Sequence, residues 1–418
     1  MTFTSPVAPM NAVDSPTMRH AGHDVLSLAL MDARNHTLHL VGQIETTLAA
    51  GGAETLARLQ LDPPLWTLGH IGWFQERWIA RNLQRHRGRL ADPQATRLAS
   101  IESRADVWWD RASHPAGGTR ALELPAAEAI RAYLLDTLES TLELLEKAPD
   151  EDDALYFYRL SLFNEDMQGE QLLMLAQALG LPMQLAQPGP VAVREPMLVP
   201  AARWPLGRAA DHGFAFDNER PVFEVQVPEF EIDAQAVTWS QFVEFVDDGG
   251  YDRVELWQPG GWEWLQEKSA GEGRRGPRYV DQIGVASGAV MQTRFGKPMR
   301  MLGGQPATHM TWWEADAWCR WAGRRLPAEV EWEVAAHTVL RRGWRWGDVW
   351  EWTGSTLRGY PGFTADPWRD YSEPFFGAHK VLRGASFATR ARMKSPKFRN
   401  FALPHRDDLF CGFRSCAL

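Results

Sequence analysis

The hydrophobic pattern of this chain changes once, abruptly, at Gly180-Leu181-Pro182. Upstream of that breaker apolar residues recur at helical steps, and downstream they alternate or lose any period. A chain patterned this way must build a helical unit first and a mixed unit second, and 418 residues leave room for both. In the first unit Leu26, Leu30, Leu38, Val41, Ile44 and Leu48 predict one helix that ends at Gly51-Gly52. A second is predicted over residues 66–83 after the Pro63-Pro64 breaker. A third starts at Pro125 and carries Ile130, Leu134, Leu138, Leu142 and Leu145 on one stripe, and a fourth covers residues 155–179. Four amphipathic helices imply an up-and-down bundle, a scaffold that builds sites from side chains on facing helices.

Residues 1–20, rich in Pro, Ser and Thr, are expected to be disordered, which leaves the helical domain residues 21–183. Residues 184–220 are rich in Pro, Ala and Arg and read as a linker to a second domain over 221–418. There FEVQVPEFEID alternates like strand, and only residues 313–322 and 328–338 read as helix. The fold class is therefore two-domain α+β. Most of the 20 tryptophans fall in this second part. Indole needs a partner for its N–H, so such density suggests a loop-rich domain cemented by aromatic rings, with faces available to a cation.

The formal net charge of -9 and the absence of a long basic run argue against a nucleic-acid surface. No run approaches the ~20 apolar residues that span a bilayer, and the N-terminus has no signal-peptide pattern, so a cytoplasmic protein is expected. Cys319, Cys411 and Cys416 cannot all pair and lack metal-knuckle spacing; buried thiols are the simplest reading. The pairs and triplets Arg324-Arg325 and Glu329, Glu331, Glu333 read as framework charges that pair with one another.

Two segments carry candidate chemistry. PPLWTLGHIGWFQERW places His70 on an apolar helix, where a lone histidine is more often a hydrogen-bonded core residue than a ligand. LFNEDMQGEQ places Asn164 and Gln168 on one helix face, with Glu170 two residues on.

These two segments, together with TWWEADAWCRWAGRRLPAEVEWE, GDVWEWTGS, GYPGF, HKVLRGASFATR and RNFALPHRDDLFCGFR, resemble the sulfoxide synthases of ergothioneine biosynthesis and their selenium-using relatives, the selenoneine synthases. The resemblance covers nearly all of the chain after residue 20. It implies a DinB-like four-helix bundle followed by a formylglycine-generating-enzyme-like domain of C-type-lectin type. It also implies O₂-dependent joining of a selenium or sulfur donor to C2 of the imidazole of hercynine, the betaine of histidine, at non-haem Fe(II). In that family one helix-borne histidine and a His-x-x-x-His-x-Glu motif hold the iron. His70 falls at the first ligand and Glu170 at the glutamate, but Asn164 and Gln168 stand at the other two histidine positions. Amides are poor Fe(II) donors beside imidazole. Rescue by His20, His23, His36 or His39 is the remote alternative, since surface or capping roles are the ordinary ones for such residues.

The resemblance further assigns Asn400 and Phe401 to the betaine. Arg406 is retained from the donor-binding pattern, while Ala402 replaces the aspartate that γ-glutamylcysteine-using members carry; a donor such as cysteine or a selenosugar is favoured accordingly. Tyr360 is the candidate catalytic tyrosine and Tyr371 its runner-up, with an ordinary packing role open for both. Two classes remain at this stage: an iron enzyme, and a betaine-binding protein that has lost its metal. A formylglycine-generating activity through Cys411 and Cys416 would leave the helical domain without a role.

Overall fold

The computed structural model describes residues 13–48, 62–114, 122–209, 213–272, 275–284 and 289–418. Its N-terminal half contains α1 (His23–Leu48), α2 (Pro64–Trp78), a single short turn α3 (Ala105–Trp109), α4 (Ala127–Glu146) and α5 (Asp152–Leu179). Pro64 opens α2 at a position where its missing N–H costs nothing, and Gly180 closes α5 at a φ of 67° that favours glycine. α1 packs on α5, and α2 packs on both α4 and α5. Leu26, Leu30, Val41 and Ile44 of α1 meet Ile130, Leu134, Leu138 and Leu145 of α4 in one core. Leu38, counted in the α1 stripe, is exposed instead. α2 stops at Trp78 rather than running to 83, because the chain turns there toward the 3-10 stretch Arg85–Leu90. The Gly51-Gly52 end of the first predicted helix lies outside the described residues.

In the second half, β1 (Met197–Val199), β4 (Phe230–Ile232), β13 (Cys416–Ala417) and β8 (Arg324–Arg325) form one sheet in that order. β11 (Asn400–Ala402), β10 (Lys380–Gly384), β9 (Trp350–Thr356) and β12 (Cys411–Phe413) form another, in which only the β9–β12 pair is parallel. A hairpin-like pair, β2 (Ala202–Leu206) with β3 (Phe223–Val227), and a meander, β5 (Val280–Gly284), β6 (Ala289–Arg294) and β7 (Lys297–Met301), complete the strands described. α8 (Trp312–Trp321) and α9 (Glu329–Thr338) match the two helices read from the sequence, whereas α6 (Trp239–Asp247) and α7 (Pro259–Glu272) were not expected.

The expected linker over 184–220 needs correction, because β1, β2 and the buried turn Asp217–Glu219 all belong to the second domain. Its Pro and Arg content disguised a strand: Pro205 sits in β2 of a two-stranded pair, where an edge tolerates a residue with no N–H. Residues 13–20 likewise are packed rather than free. Met18 and Arg19 are buried, and Arg19 forms a double hydrogen bond to Glu219 at 2.8 and 3.0 Å. Residues 1–12 lie outside the described ones. One apolar core runs from the bundle into the second domain, and a smaller one gathers around Trp332 and Trp344 beneath α9. No helix among the described residues is long and apolar enough to cross a membrane.

Candidate active site at the domain junction

α5 carries two residue pairs at four-residue spacing, Asn164 with Gln168 and Asp166 with Glu170. The second pair is offset by two residues, roughly 200° around the helix. Asp166 and Glu170 fasten the second domain. Asp166 accepts from Arg392 Nε and Nη2 at 2.7 and 2.8 Å. Glu170 accepts from Trp350 Nε1, Ser386 Oγ and Thr389 Oγ1 at 2.8, 2.6 and 2.8 Å. Burial pushes the Glu170 carboxyl above its ordinary range, against the pull of those three donors. Asn164 and Gln168 border, with His70 of α2, a cleft of roughly 1810 Å³ between the domains. A single small-molecule site occupies about 300–1,000 Å³, so this cleft has room for two substrates at once.

His70 is held tightly. Its ring stacks between Trp66, at 5.0 Å and 12°, and Trp73, at 5.6 Å and 28°. Nδ1 donates to the Trp109 carbonyl oxygen at 2.8 Å, which fixes the proton on Nδ1 and leaves Nε2 a bare lone pair. Burial pushes the ring's pKa down to about 4, outweighing the upward pull of that carbonyl, so the ring is neutral near pH 7. Trp109 was not foreseen as part of the site; the adjacent Gly69 was the available signal, because a Cβ there would lie 2.0 Å from Trp109 Nε1.

The three positions do not fit the iron that the family resemblance implies. Among the described residues no three His, Cys, Asp or Glu side chains gather as ligands. The donor set is one imidazole nitrogen and two neutral amides. Asn164 Nδ2 is buried without a hydrogen-bond partner among the described residues, so the amide is not engaged by the surrounding protein at that atom. His20, His23, His36 and His39 do not border the cleft, so they do not complete the set.

On the second-domain side an aromatic wall faces these groups. Phe74 of α2 meets Trp368 edge-on at 4.8 Å, Trp368 meets Tyr371 at 5.0 Å, Tyr371 meets Phe401 at 5.9 Å, and Phe401 meets Phe375 at 5.4 Å. Asn400 and Phe401 sit in β11 on this wall. Asn400 Oδ1 accepts from the Phe401 N–H at 2.8 Å, which leaves the amide N–H₂ to donate to a ligand. Arg406 borders the cleft but is already bridged to Asp408, at 2.5 and 2.7 Å, and neighbouring Arg278 pairs with Asp407 at 2.9 Å. Ala402 is buried at the same edge.

The tyrosine candidate has to be corrected. Tyr360 does not border the cleft; its ring lies under Arg399 at 4.0 Å and its hydroxyl donates to Glu329 at 3.3 Å. Tyr371 does border it. The glutamates of α9 pair inward as framework charges: Glu329 with Arg399, Glu331 with Arg325, and Glu333 with Arg383. Cys319, Cys411 and Cys416 are free and buried, and none borders the cleft.

Two family models match the chain, that of the DinB superfamily over residues 32–176 and that of the sulfatase-modifying factor enzyme 1-like domain over residues 183–348. The two together account for a helical N-terminal domain and a mixed C-terminal one. The hercynine oxygenase of Mycolicibacterium smegmatis is 32% identical, covering 85% of this chain and 90% of that protein. The hercynine oxygenase of Mycobacterium tuberculosis is 30% identical over 93% of this chain and 97% of its own length. The formylglycine-generating enzyme of Streptomyces coelicolor is 31% identical over 42% of this chain and 58% of its own.

Proposed function

Since the chain belongs to the hercynine oxygenase family, a family of oxidoreductase-type enzymes, we propose that its cleft binds hercynine together with a selenium or sulfur donor, for C–Se or C–S bond formation at the imidazole C2. The observation that carries this reading is that one cleft is bordered both by an aromatic wall and by a buried imidazole and two buried amides. Hercynine has a quaternary ammonium, a carboxylate and an imidazole. The faces of Tyr371, Phe401 and Phe375 suit the cation, the Asn400 amide suits the carboxylate, and the ring then points toward His70, Asn164 and Gln168. The coupling exchanges the C2–H bond and the donor's Se–H or S–H bond for one C–Se or C–S bond, and the two protons and two electrons released pass to O₂, giving H₂O₂.

The donor wing of the cleft supports a sugar-bearing selenol over γ-glutamylcysteine. Trp264 and Trp313 border it with Glu263 and Glu267, indole faces that stack on a sugar ring and carboxylates that accept from its hydroxyls. Arg406, bridged to Asp408, is less available to a donor carboxylate. One observation favours a second reading, binding without turnover: Asn164 and Gln168 are not iron ligands of useful strength. Calorimetry with hercynine tests the shared core of both. Phe401→Ala is expected to weaken binding about tenfold, the loss of a desolvated cation–π contact of roughly 1.4 kcal/mol. An unchanged affinity would remove hercynine from this wall.

A further inference from the structure

We propose that His70, Asn164 and Gln168 form, in this chain, a hydrogen-bonding site for a neutral azole ring, the imidazole of the bound betaine, where a metal site would otherwise stand. The inference rests on the reading of the cleft as a hercynine site and states what these three side chains do in it. Because Nδ1 of His70 donates to the Trp109 carbonyl, Nε2 can only accept. Asn164 is 2% exposed, and its Nδ2 is an orphaned donor among the described residues; native proteins satisfy such groups with a ligand or ordered water. Gln168, one helical turn on, supplies a donor or an acceptor. A neutral imidazole presents one N–H and one bare nitrogen, the complement of an acceptor beside a donor. A divalent ion needs lone pairs from all three positions, and here two of the three are neutral amide oxygens, weak donors beside imidazole. Betaine affinity in this chain is therefore independent of iron, and the ring adds to the affinity that the cation and carboxylate supply.

The test compares hercynine with glycine betaine, which keeps the quaternary ammonium and carboxylate but has no ring, by calorimetry on the full chain in EDTA. The unmodified protein is expected to bind hercynine at least tenfold more tightly. Asn164→Leu, similar in size but without the amide, is expected to bring the two ligands within about threefold by weakening hercynine alone. Asn164→Asp, which swaps the donor for an acceptor in the same shape, is expected to do likewise and serves if the leucine variant does not fold. In parallel, the unmodified protein is expected to retain less than a tenth of an equivalent of Fe(II) after anaerobic desalting, with Asn164→His/Gln168→His as comparator. Retention of near one equivalent, a tenfold gain in hercynine affinity on adding Fe(II), or an unaltered ligand ratio in both Asn164 variants would overturn the inference while leaving the hercynine cleft standing. Failure of both betaines to bind would instead remove the hercynine cleft, and the inference with it.

Discussion

Replacing Asp166 by alanine attacks the joint between the domains at a fully buried ion pair. The Asp166 side chain is 2% exposed and that of Arg392 is 0% exposed. The Arg392 guanidinium donates four hydrogen bonds, two to Asp166, one to Asp32 Oδ2 at 2.7 Å and one to the Val13 carbonyl at 2.9 Å. Asp166→Ala removes two of the four and leaves the guanidinium buried with a partner, Asp32, that is one-third exposed. Breaking a buried pair from one side costs about 3–5 kcal/mol; the surviving Asp32 contact places the expected loss near 3 kcal/mol. Asp166→Asn keeps an acceptor and the shape, so a smaller loss is expected. Urea unfolding read by near-ultraviolet and far-ultraviolet circular dichroism measures the loss, and a double-mutant cycle with Arg392→Met should return a coupling of about 2 kcal/mol. A loss below 1 kcal/mol for Asp166→Ala, with no coupling to Arg392, would refute the account of this pair as the joint.

The two tyrosines should separate cleanly. Tyr360→Phe is expected to cost about 1 kcal/mol of stability, for one hydrogen bond, with ligand binding unchanged, whereas Tyr371→Phe should leave stability nearly intact and alter hercynine or donor binding measured by calorimetry. Gly69→Ala forces a Cβ to within 2.0 Å of the Trp109 indole, whose backbone carbonyl orients His70. Overpacking of this kind costs about 1–3 kcal/mol, and a drop in melting temperature accompanied by weaker hercynine binding is the expected pair of readouts.

The bundle was legible because its helices show the apolar period that a buried stripe requires; α4 and α5 begin and end within about three residues of the pattern. The irregular domain was not. α7 opens with Pro259-Gly260-Gly261, residues that read as a turn, and Gly261 is tightly packed because Trp313 lies within 3.0 Å of where its side chain would begin. That constraint is tertiary and leaves no local signal. His70, Asn164, Gln168, Asn400, Phe401 and Arg406 all border one cleft, since motif resemblance carries spatial information that spacing alone does not. Tyr360 and Tyr371 are only eleven residues apart in a stretch without regular period, so nothing in the sequence says which one turns inward. Asp166 lay in plain view between two candidate ligands, but its partner Arg392 is 226 residues away and no periodicity links them.

The alternation along α5 has an evolutionary consequence. Asp166 and Glu170 carry the hydrogen bonds that clamp the domains, and Asn164 and Gln168 carry none of those bonds although all four border the cleft, so the latter two positions can be rewritten without cutting the clamp. Two substitutions can change the groups presented to the cleft while the hydrogen bonds of Asp166 and Glu170 persist. A scaffold wired in this way is free to drift between catalyst and receptor, and a descendant can move in either direction without first passing through an unfolded ancestor.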